Sequence, residues 1–217
     1  MPAAHFQARA LALFTMKAAV AQSEQVILGI DPGTLFMGYG LIAVRKNNVR
    51  LLEMGVLRLA RHKDHAERLR LIYTTIEGLI QTFKPGCAAI EAPFFGKNVQ
   101  SMLKLGRAQG VAIAAATVNG LSAIEYSPNK VKQSITGRGH ATKEQVWRML
   151  QETLNLGDGI PDSHDATDAL AVALCHHYQS RLPIEMHANL TTEKKRRSKK
   201  TDWAQFAALH PERVGPF

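Results

Sequence analysis

The sequence has little cysteine, few aromatic residues and no long apolar run, and these shortages exclude several classes of protein. Cys87 and Cys175 are the only cysteines in 217 residues and show no CxxC or Cys/His ligand spacing. A disulfide scaffold or a zinc finger is therefore not expected, and a reducing compartment, the cytoplasm, fits best. No stretch approaches the roughly 18 consecutive apolar residues of a membrane-spanning helix. The length predicts one globular domain with appendages, and the lack of such a run predicts no membrane-spanning helix.

Acidic residues are also scarce relative to basic ones. The chain has 27 Lys and Arg residues against 18 Asp and Glu residues, a formal net charge of +9 and a pI near 9.8. Such an excess favours a polyanionic partner, either nucleic acid or an anionic membrane surface. Residues 191–217 contain seven basic and three acidic residues, so +5 remains for residues 1–190.

Composition divides the chain into three segments. Residues 1–24 are rich in alanine, and their apolar run at 11–14 is too short for a signal-peptide core. This segment is expected to be a disordered leader or the product of a start site misassigned upstream of Met16, and its composition also allows a transit peptide. Residues 25–182 form the predicted folded domain. Residues 183–217 form a predicted flexible basic tail, which either contacts phosphates or is a solubilising extension.

The periodicity of the central segment predicts a mixed α/β domain. Apolar runs at 25–30, 38–44 and 49–59 predict three strands with short connections, which favours an antiparallel meander. Helical spacing follows at 65–83, then a buried strand at 87–91, a helix at 98–119 and a strand at 121–126. Three further helices are predicted from helix-capping patterns, at 128–135, 143–154 and 163–178.

Four carboxylates stand apart from the surface acids. Asp31 and Glu91 each end a buried strand, and both project from one edge of the sheet if those strands are neighbours. Asp165 and Asp168 are three residues apart and therefore share a face of the last helix. Four converging carboxylates need compensation, which hard divalent cations such as Mg²⁺ provide. The pattern predicts a two-metal site for attack of water on a phosphodiester.

Simpler roles exist for each of these acids taken alone. Asp31 precedes Pro-Gly and is a common type of turn residue. Asp165 and Asp168 fit a solvated helix N-terminus, and Glu91 fits a satisfied ion pair. The four together are more specific than any one of them.

The same residues carry a family resemblance. The segment 27–34 (ILGIDPGT), followed by Gly38-Tyr39-Gly40, resembles the opening motif of the RuvC family of Holliday junction resolvases. Ile90-Glu91 with Phe94, the segment 103–106, the segment 131–143 and the segment 165–171 resemble the later motifs in the same order. The resemblance covers roughly residues 26–178.

The resemblance implies a ribonuclease-H-like fold with a mixed five-stranded sheet, a homodimer and paired, symmetric nicking of four-way DNA junctions in recombination and repair. It implies two Mg²⁺ ions per site, with Mn²⁺ able to substitute, and the branch-migration proteins RuvA and RuvB as partners. Asp31, Glu91, Asp165 and Asp168 would be the catalytic, metal-binding acids. His164 is not expected to be a ligand. The implied or plausible DNA contacts are Phe94, Lys132, Lys143, Asn98, Lys104, Arg107 and Arg138.

Several of these contacts have alternative explanations. Lys104, Arg107 and Arg138 also fit solvated surface charges, and Asn98 also fits a helix cap. The helix at 98–119 has many small residues, which favours close packing against the sheet, a second subunit or both.

Three other functions compete with junction cleavage. Asp31-Pro32-Gly33-Thr34 resembles the phosphate-binding turn of sugar kinases and actin-like ATPases, but those folds need two lobes that 217 residues do not provide. A module that binds junctions without cutting them would not need clustered acids that repel phosphate. A nuclease of the same fold acting on RNA remains open, and substrate comparison distinguishes it.

Overall fold

A computed structural model describes residues 24–46, 48–93, 98–157 and 163–181. Five strands in this part of the chain form one sheet in the order β3-β2-β1-β4-β5. Their bounds are β1 Gln25–Asp31, β2 Phe36–Arg45, β3 Asn48–Arg58, β4 Cys87–Glu91 and β5 Ser122–Tyr126. The predicted leader, apart from Glu24, and the predicted tail lie outside the described residues.

The strand register brings the ends of three strands to one edge. β1 pairs antiparallel with β2, from Gln25 opposite Val44 to Asp31 opposite Gly38. β2 pairs antiparallel with β3, whereas β4 runs parallel to both β1 and β5. The carboxyl ends of β1, β4 and β5 therefore lie at the same edge. This confirms the predicted meander of three strands extended by two parallel strands, in an α/β domain.

Five helices flank the sheet in the described residues: α1 His65–Phe83, α2 Val99–Val118, α3 Pro128–Thr136, α4 Lys143–Leu154 and α5 His164–Ser180. The caps of α3 and α4 are those that the sequence predicts. Ser127 accepts a hydrogen bond from the Lys130 amide, and Thr142 and Gln145 form a capping box that starts α4. Each cap satisfies amides that have no partner within the helix.

Two hydrophobic layers cover the two faces of the sheet. Along β1, Ile27 packs with α3, α4 and α5 on one face, whereas Leu28 and Ile30 pack with α1 and α2 on the other. Because side chains alternate along a strand, Asp31 lies on the α5 face. Cys87 and Ala89 of β4 belong to the α5 layer, so Glu91 lies on that face too. The two acids thus share both an edge and a face.

Glycines allow α5 to approach the sheet backbone to backbone. A Cβ atom at Gly38 would overlap the carbonyl oxygen of Asp165, and one at Gly29 would overlap the carbonyl oxygen of Ala169. Gly40 meets the backbone of Leu170 in the same way. Any larger residue at these positions would move the helix away from the sheet. The beginning of α5 is therefore held against the end of β1.

Small differences from the sequence prediction concern strand ends. β2 begins at Phe36, two residues before the predicted start, because Phe36 already pairs with Arg58. None of the helices in the described part of the chain is long and apolar enough to cross a bilayer.

Candidate active site

The site is an open cavity of about 280 Å³ at the carboxyl edge of the sheet. Its lining includes Asp31 from the end of β1, Glu91 from the end of β4 and Asp168 from the first turns of α5. Lys132 of α3 and Lys143 at the start of α4 line it as well. The fold therefore brings three of the four predicted acids together with two of the predicted DNA-contacting lysines.

The two strand-end acids are held in a setting that opposes their ionisation. Burial raises the pKa of Asp31 to about 7, and the nearby carboxylates of Asp168 and Asp165 add to this shift while Lys143 opposes it. Burial also raises the pKa of Glu91 to about 8, with further contributions from Asp31 and Asp168. Asp31, Glu91 and Asp168 line one cavity, so the negative charge of each opposes ionisation of the others.

Lys143 provides the direct counter-charge within the cavity. Its Nζ donates a hydrogen bond to Oδ2 of Asp168 over 2.6 Å, where half of the lysine side chain remains exposed. Burial disfavours the ammonium, but this hydrogen bond and the fields of Asp168, Asp31 and Asp165 outweigh it and raise the pKa of Lys143. Lys143 is therefore a firmly charged group whose partner is one of the four acids.

Asp165 lies beside the cavity, and Ser163, just before the start of α5, holds its carboxylate by hydrogen bonding. Ser163 Oγ donates to Asp165 Oδ2, and the Asp165 amide donates to Ser163 Oγ, each over 3.3 Å. Although Asp165 does not line the cavity, its charge contributes to the raised pKa of Asp31. All four predicted acids therefore belong to one electrostatic cluster. His164 is exposed at the first position of α5, and its carbonyl oxygen accepts a hydrogen bond from Thr167.

The donor set fits divalent cations whose coordination is completed by water and substrate. Neither the Asp31 nor the Glu91 carboxylate receives a hydrogen bond or an ion pair from the described residues. No group of three or more His, Cys, Asp or Glu side chains within those residues is arranged to hold an ion by itself. Mg²⁺ is usually bound by one or two carboxylates plus water and phosphate oxygens rather than by an all-protein cage. Partly buried acids without partners suit that coordination.

The remaining predicted DNA contacts are spread around the site. Asn98 caps α2, with its Oδ1 accepting from the Ser101 amide over 3.1 Å, as the more conservative interpretation predicts. Lys104 and Arg107 are exposed on α2. Arg138 lines a second open cavity of about 520 Å³, together with Glu144 and Arg148. Phe94 lies outside the described residues.

Sequence reasoning missed two supports of the site. Arg68 of α1 donates from Nη1 to the Thr34 carbonyl over 3.1 Å and from Nε to the His62 carbonyl over 2.6 Å. It therefore fixes the turn that follows Asp31. Tyr126, which pairs with Glu91 in the sheet, lies with its hydroxyl 2.8 Å from Nδ1 of His176. Partners 34 and 50 residues apart leave no local sequence signal.

Known proteins with this sequence pattern are nucleases. Residues 27–176 match the family model described as crossover junction endodeoxyribonuclease RuvC. A protein of that name from Porphyromonas gingivalis is 47% identical over 197 residues, covering 90% of this chain and all of the relative. Another from Christiangramia forsetii is 55% identical over 161 residues, covering 74% of this chain and 83% of the relative.

Solved structures show the same architecture. Thermus thermophilus RuvC in complex with a Holliday junction substrate has a TM-score of 0.67 and 35% identity, covering 72% of this chain and 95% of the other. The yeast mitochondrial Holliday junction resolvase Ydc2 has a TM-score of 0.57 at 14% identity, covering 79% of this chain and 85% of the other. The second likeness extends the shared fold to a distant sequence.

Proposed function

The chain belongs to the RuvC family of crossover junction endodeoxyribonucleases, and on this premise we propose that it is a Holliday junction resolvase. It is a structure-specific endodeoxyribonuclease that makes paired, symmetric nicks in four-way DNA junctions during recombination and repair. The observation that carries this function is the cavity in which Asp31, Glu91 and Asp168 meet Lys132 and Lys143. A cavity with both signs of charge can hold cations and the phosphate of a DNA strand together.

The catalytic metal ligands in this proposal are Asp31, Glu91, Asp165 and Asp168. Two Mg²⁺ ions, or Mn²⁺ in their place, would supply activation of the attacking water and neutralisation of the leaving oxygen. The chain's own part is to keep the acids at one edge of a rigid sheet. Asp31 and Glu91 must lose their protons to act as ligands, and burial makes that loss unfavourable until a cation is present.

Lys132 and Lys143 are proposed to hold the phosphate of the strand to be cut. Lys143 is paired with Asp168. Asp168 is one of the acids that would hold a cation, and Nζ of Lys143 would then be available to donate to a phosphate oxygen. Lys132 lines the same cavity from α3 and approaches the phosphate from a different helix. Both contacts are independent of sequence, since they reach the backbone rather than a base edge.

The proposal includes four further DNA contacts. Lys104 and Arg107 are exposed to solvent on α2, where they would contact phosphates of the junction arms. Arg138 would do so beside its own cavity, and Asn98 is proposed to combine its capping role with a DNA contact. Phe94 is proposed, from the family resemblance, to stack on a base at the crossover, which is worth about 1–3 kcal/mol.

A homodimer suits the proposed substrate. A four-way junction is approximately two-fold symmetric, so a two-fold dimer presents identical sites to symmetric strands. The proposed interface element is α2, which exposes Val99, Leu103 and Val118 together with Gly106 and Gly110. The branch-migration proteins RuvA and RuvB are proposed as partners from the family resemblance. A cytoplasmic location is proposed from the cysteine usage, which fits a reducing compartment.

Substrate comparison tests the function. The wild-type protein is incubated in Mg²⁺ with a four-way DNA junction, a linear duplex of the same sequence and an RNA–DNA hybrid. The proposal predicts symmetric nicks in the junction and far slower cutting of the other two substrates. Preference for the hybrid would indicate a nuclease acting on RNA, and binding without nicks would indicate a recognition module.

A further inference from the structure

A second charged surface lies on the same edge of the sheet as the acids, on the side of β3. It consists of Phe36, Arg58, Arg61 and Lys63, and we call it the β3-side patch. All four residues are exposed. Phe36 begins β2 and pairs with Arg58, the last residue of β3. Arg61 and Lys63 follow in the connection to α1.

The fold holds this patch rigidly next to Asp31. The amides of Leu59 and Ala60 both donate to the Leu35 carbonyl, over 2.8 and 3.0 Å. Arg68 of α1 also joins the loop after β1 to the loop after β3, because it donates hydrogen bonds to the carbonyl oxygens of Thr34 and His62. The turn after Asp31 and the turn after β3 are therefore one connected unit. Movement of the patch relative to the acid would break several hydrogen bonds.

The cations of the patch are not consumed by neighbouring acids. Within the described residues, no ion pair involves Arg58, Arg61 or Lys63. The acids nearest to Arg61 and Lys63 along the chain have other partners: Asp64 caps α1 by accepting from the amides of Ala66 and Glu67, and Glu67 is paired with Arg70. Three basic side chains without an ion-pair partner among the described residues thus lie on or just after the strand end that pairs with the exposed Phe36. Basic residues interleaved with an exposed aromatic side chain are typical of nucleic-acid surfaces.

The position of the patch matches a continuing DNA strand. β3 lies two strands from β1 in the sheet order, which corresponds to about 10 Å at the usual strand spacing. Alternation along β2 puts Phe36 on the same face as Gly38, the face on which Asp31 lies. Each strand of a duplex advances about 3.4 Å per nucleotide along the helix axis, so an arm whose axis follows this edge of the sheet covers about 10 Å with about three nucleotides.

From these observations we infer that the β3-side patch binds the phosphate backbone of a duplex arm about three nucleotides from the scissile phosphate. Arg61 and Lys63 neutralise phosphates, Arg58 assists them at the strand end, and the ring of Phe36 packs against the sugars between them. The inference rests on the proposed function, because it takes the phosphate at Asp31 as its origin. Its effect is to orient one arm relative to the cutting site.

The test uses the double variant Arg61→Gln/Lys63→Gln, whose substitutions lie in an exposed connection. The matched control is Arg45→Gln/Lys46→Gln, which removes the same charge from exposed residues at the opposite end of the same hairpin. Binding to a four-way junction is measured across a salt series in an Asp31→Asn background, so that cleavage does not interfere. We expect about tenfold weaker binding at 0.1 M salt for the patch variant and a salt slope smaller by about two, since each phosphate contact contributes about 0.9. The control should change neither quantity by more than about twofold.

A second experiment locates the contact between the β3-side patch and the DNA by neutralising one phosphate at a time. A series of junctions carries one neutral methylphosphonate each, one to six nucleotides from the scissile position. A substitution near the third nucleotide should weaken binding of the parent protein and leave binding of the patch variant unchanged. Equal losses for patch and control variants, or equal sensitivity of both to every methylphosphonate, would overturn the inference. Nicking is assayed separately, so a wild-type protein that binds but does not nick would refute the proposed function and leave the phosphate series to decide the patch.

Discussion

Asp31 and Gly38 are direct partners in the antiparallel ladder of β1 and β2, and Gly38 is where the backbone of Asp165 meets the sheet. One ladder position therefore sets the distance between an acid on a strand and an acid on a helix. The missing side chain at Gly38 is what allows both carboxylates to belong to one cluster. This relationship links the packing of α5 directly to the chemistry of the site.

Gly38→Ala should separate the acids and destabilise the fold. The new Cβ would overlap the Asp165 carbonyl oxygen, and overpacking of this kind costs about 1–3 kcal/mol in the free energy of unfolding. Thermal unfolding in EDTA measures the loss, and junction nicking should fall with it because the start of α5 moves. Gly78→Ala is the control. Gly78 lies on an exposed part of α1 with open space around it, so that variant should gain about 0.5–1 kcal/mol. A stable, fully active Gly38→Ala variant would contradict this packing argument.

Lys143→Gln should slow nicking much more than it weakens binding. The substitution removes the ammonium 2.6 Å from Asp168 and the donor proposed for the phosphate. Loss of one such preorganised donor costs about 10²-fold in rate. Single-turnover nicking and junction binding are measured in parallel. Arg148→Gln, which removes one positive charge from the exposed side of the same helix, should nick within about threefold of wild type, as expected for a solvated surface charge. Equal rates for Lys143→Gln and wild type would remove Lys143 from the mechanism.

The stability of the metal-free protein should fall as the pH rises. The folded-state pKa values of Asp31 and Glu91, about 7 and about 8, exceed the ordinary values of 3.8 and 4.5. The folded protein therefore retains protons that the unfolded chain has released, and the free energy of unfolding declines from about pH 4 until the pH exceeds about 8.

Asp31→Asn should remove the Asp31 part of that decline. In EDTA at pH 8.5 the variant should melt about 3–6 °C above wild type, because it carries no buried charge there, whereas the two should agree at about pH 3.5, where Asp31 is largely protonated in the folded and the unfolded chain alike. Glu152→Gln, at an exposed position of α4, is the control and should match wild type at both values. An Asp31→Asn variant that melts below wild type at pH 8.5 would show that the carboxylate has a stabilising partner.

Gly110→Glu should prevent dimer formation if α2 is the interface. The glycine is exposed near the middle of the helix, where a Cβ meets no atom within 4 Å of the same chain. A carboxylate there would be buried against a second subunit at a cost of several kcal/mol. Sedimentation equilibrium should show a monomer for Gly110→Glu and a dimer for wild type and for Gly78→Glu. A dimeric Gly110→Glu variant would place the interface elsewhere.

Most helices and strands of the fold could be predicted from local sequence patterns. The strand at 25–30 is predictable because it is a short continuous apolar run, which the structure buries on both faces, and the helix at 65–83 is predictable because its apolar period matches one buried face. The cap at Asn98 and the capping box at Thr142 are predictable because they use residues three apart. Asp31 and Glu91 stand out for the same kind of reason, as charged residues that end apolar runs.

What the sequence leaves open depends on long-range contacts. Lys143 meets Asp168 across 25 residues, and no period or motif spacing specifies that pair. The same is true of Arg68 and Thr34, which are joined through a backbone carbonyl that every residue has. The strong shift in the pKa of Glu91 depends on how deeply β4 is covered, which is a property of the assembled layers.

The most direct test of the central claim compares Asp31→Asn with wild type on a synthetic four-way junction. Asp64→Asn is the matched control, since Asn caps a helix as well as Asp does. Wild type and Asp64→Asn should make symmetric nicks in Mg²⁺ and none in EDTA. Asp31→Asn should make no nicks in either condition while binding the junction at least as tightly as wild type. Nicking by Asp31→Asn at a rate close to that of wild type would contradict the assignment of this acid cluster as the active site.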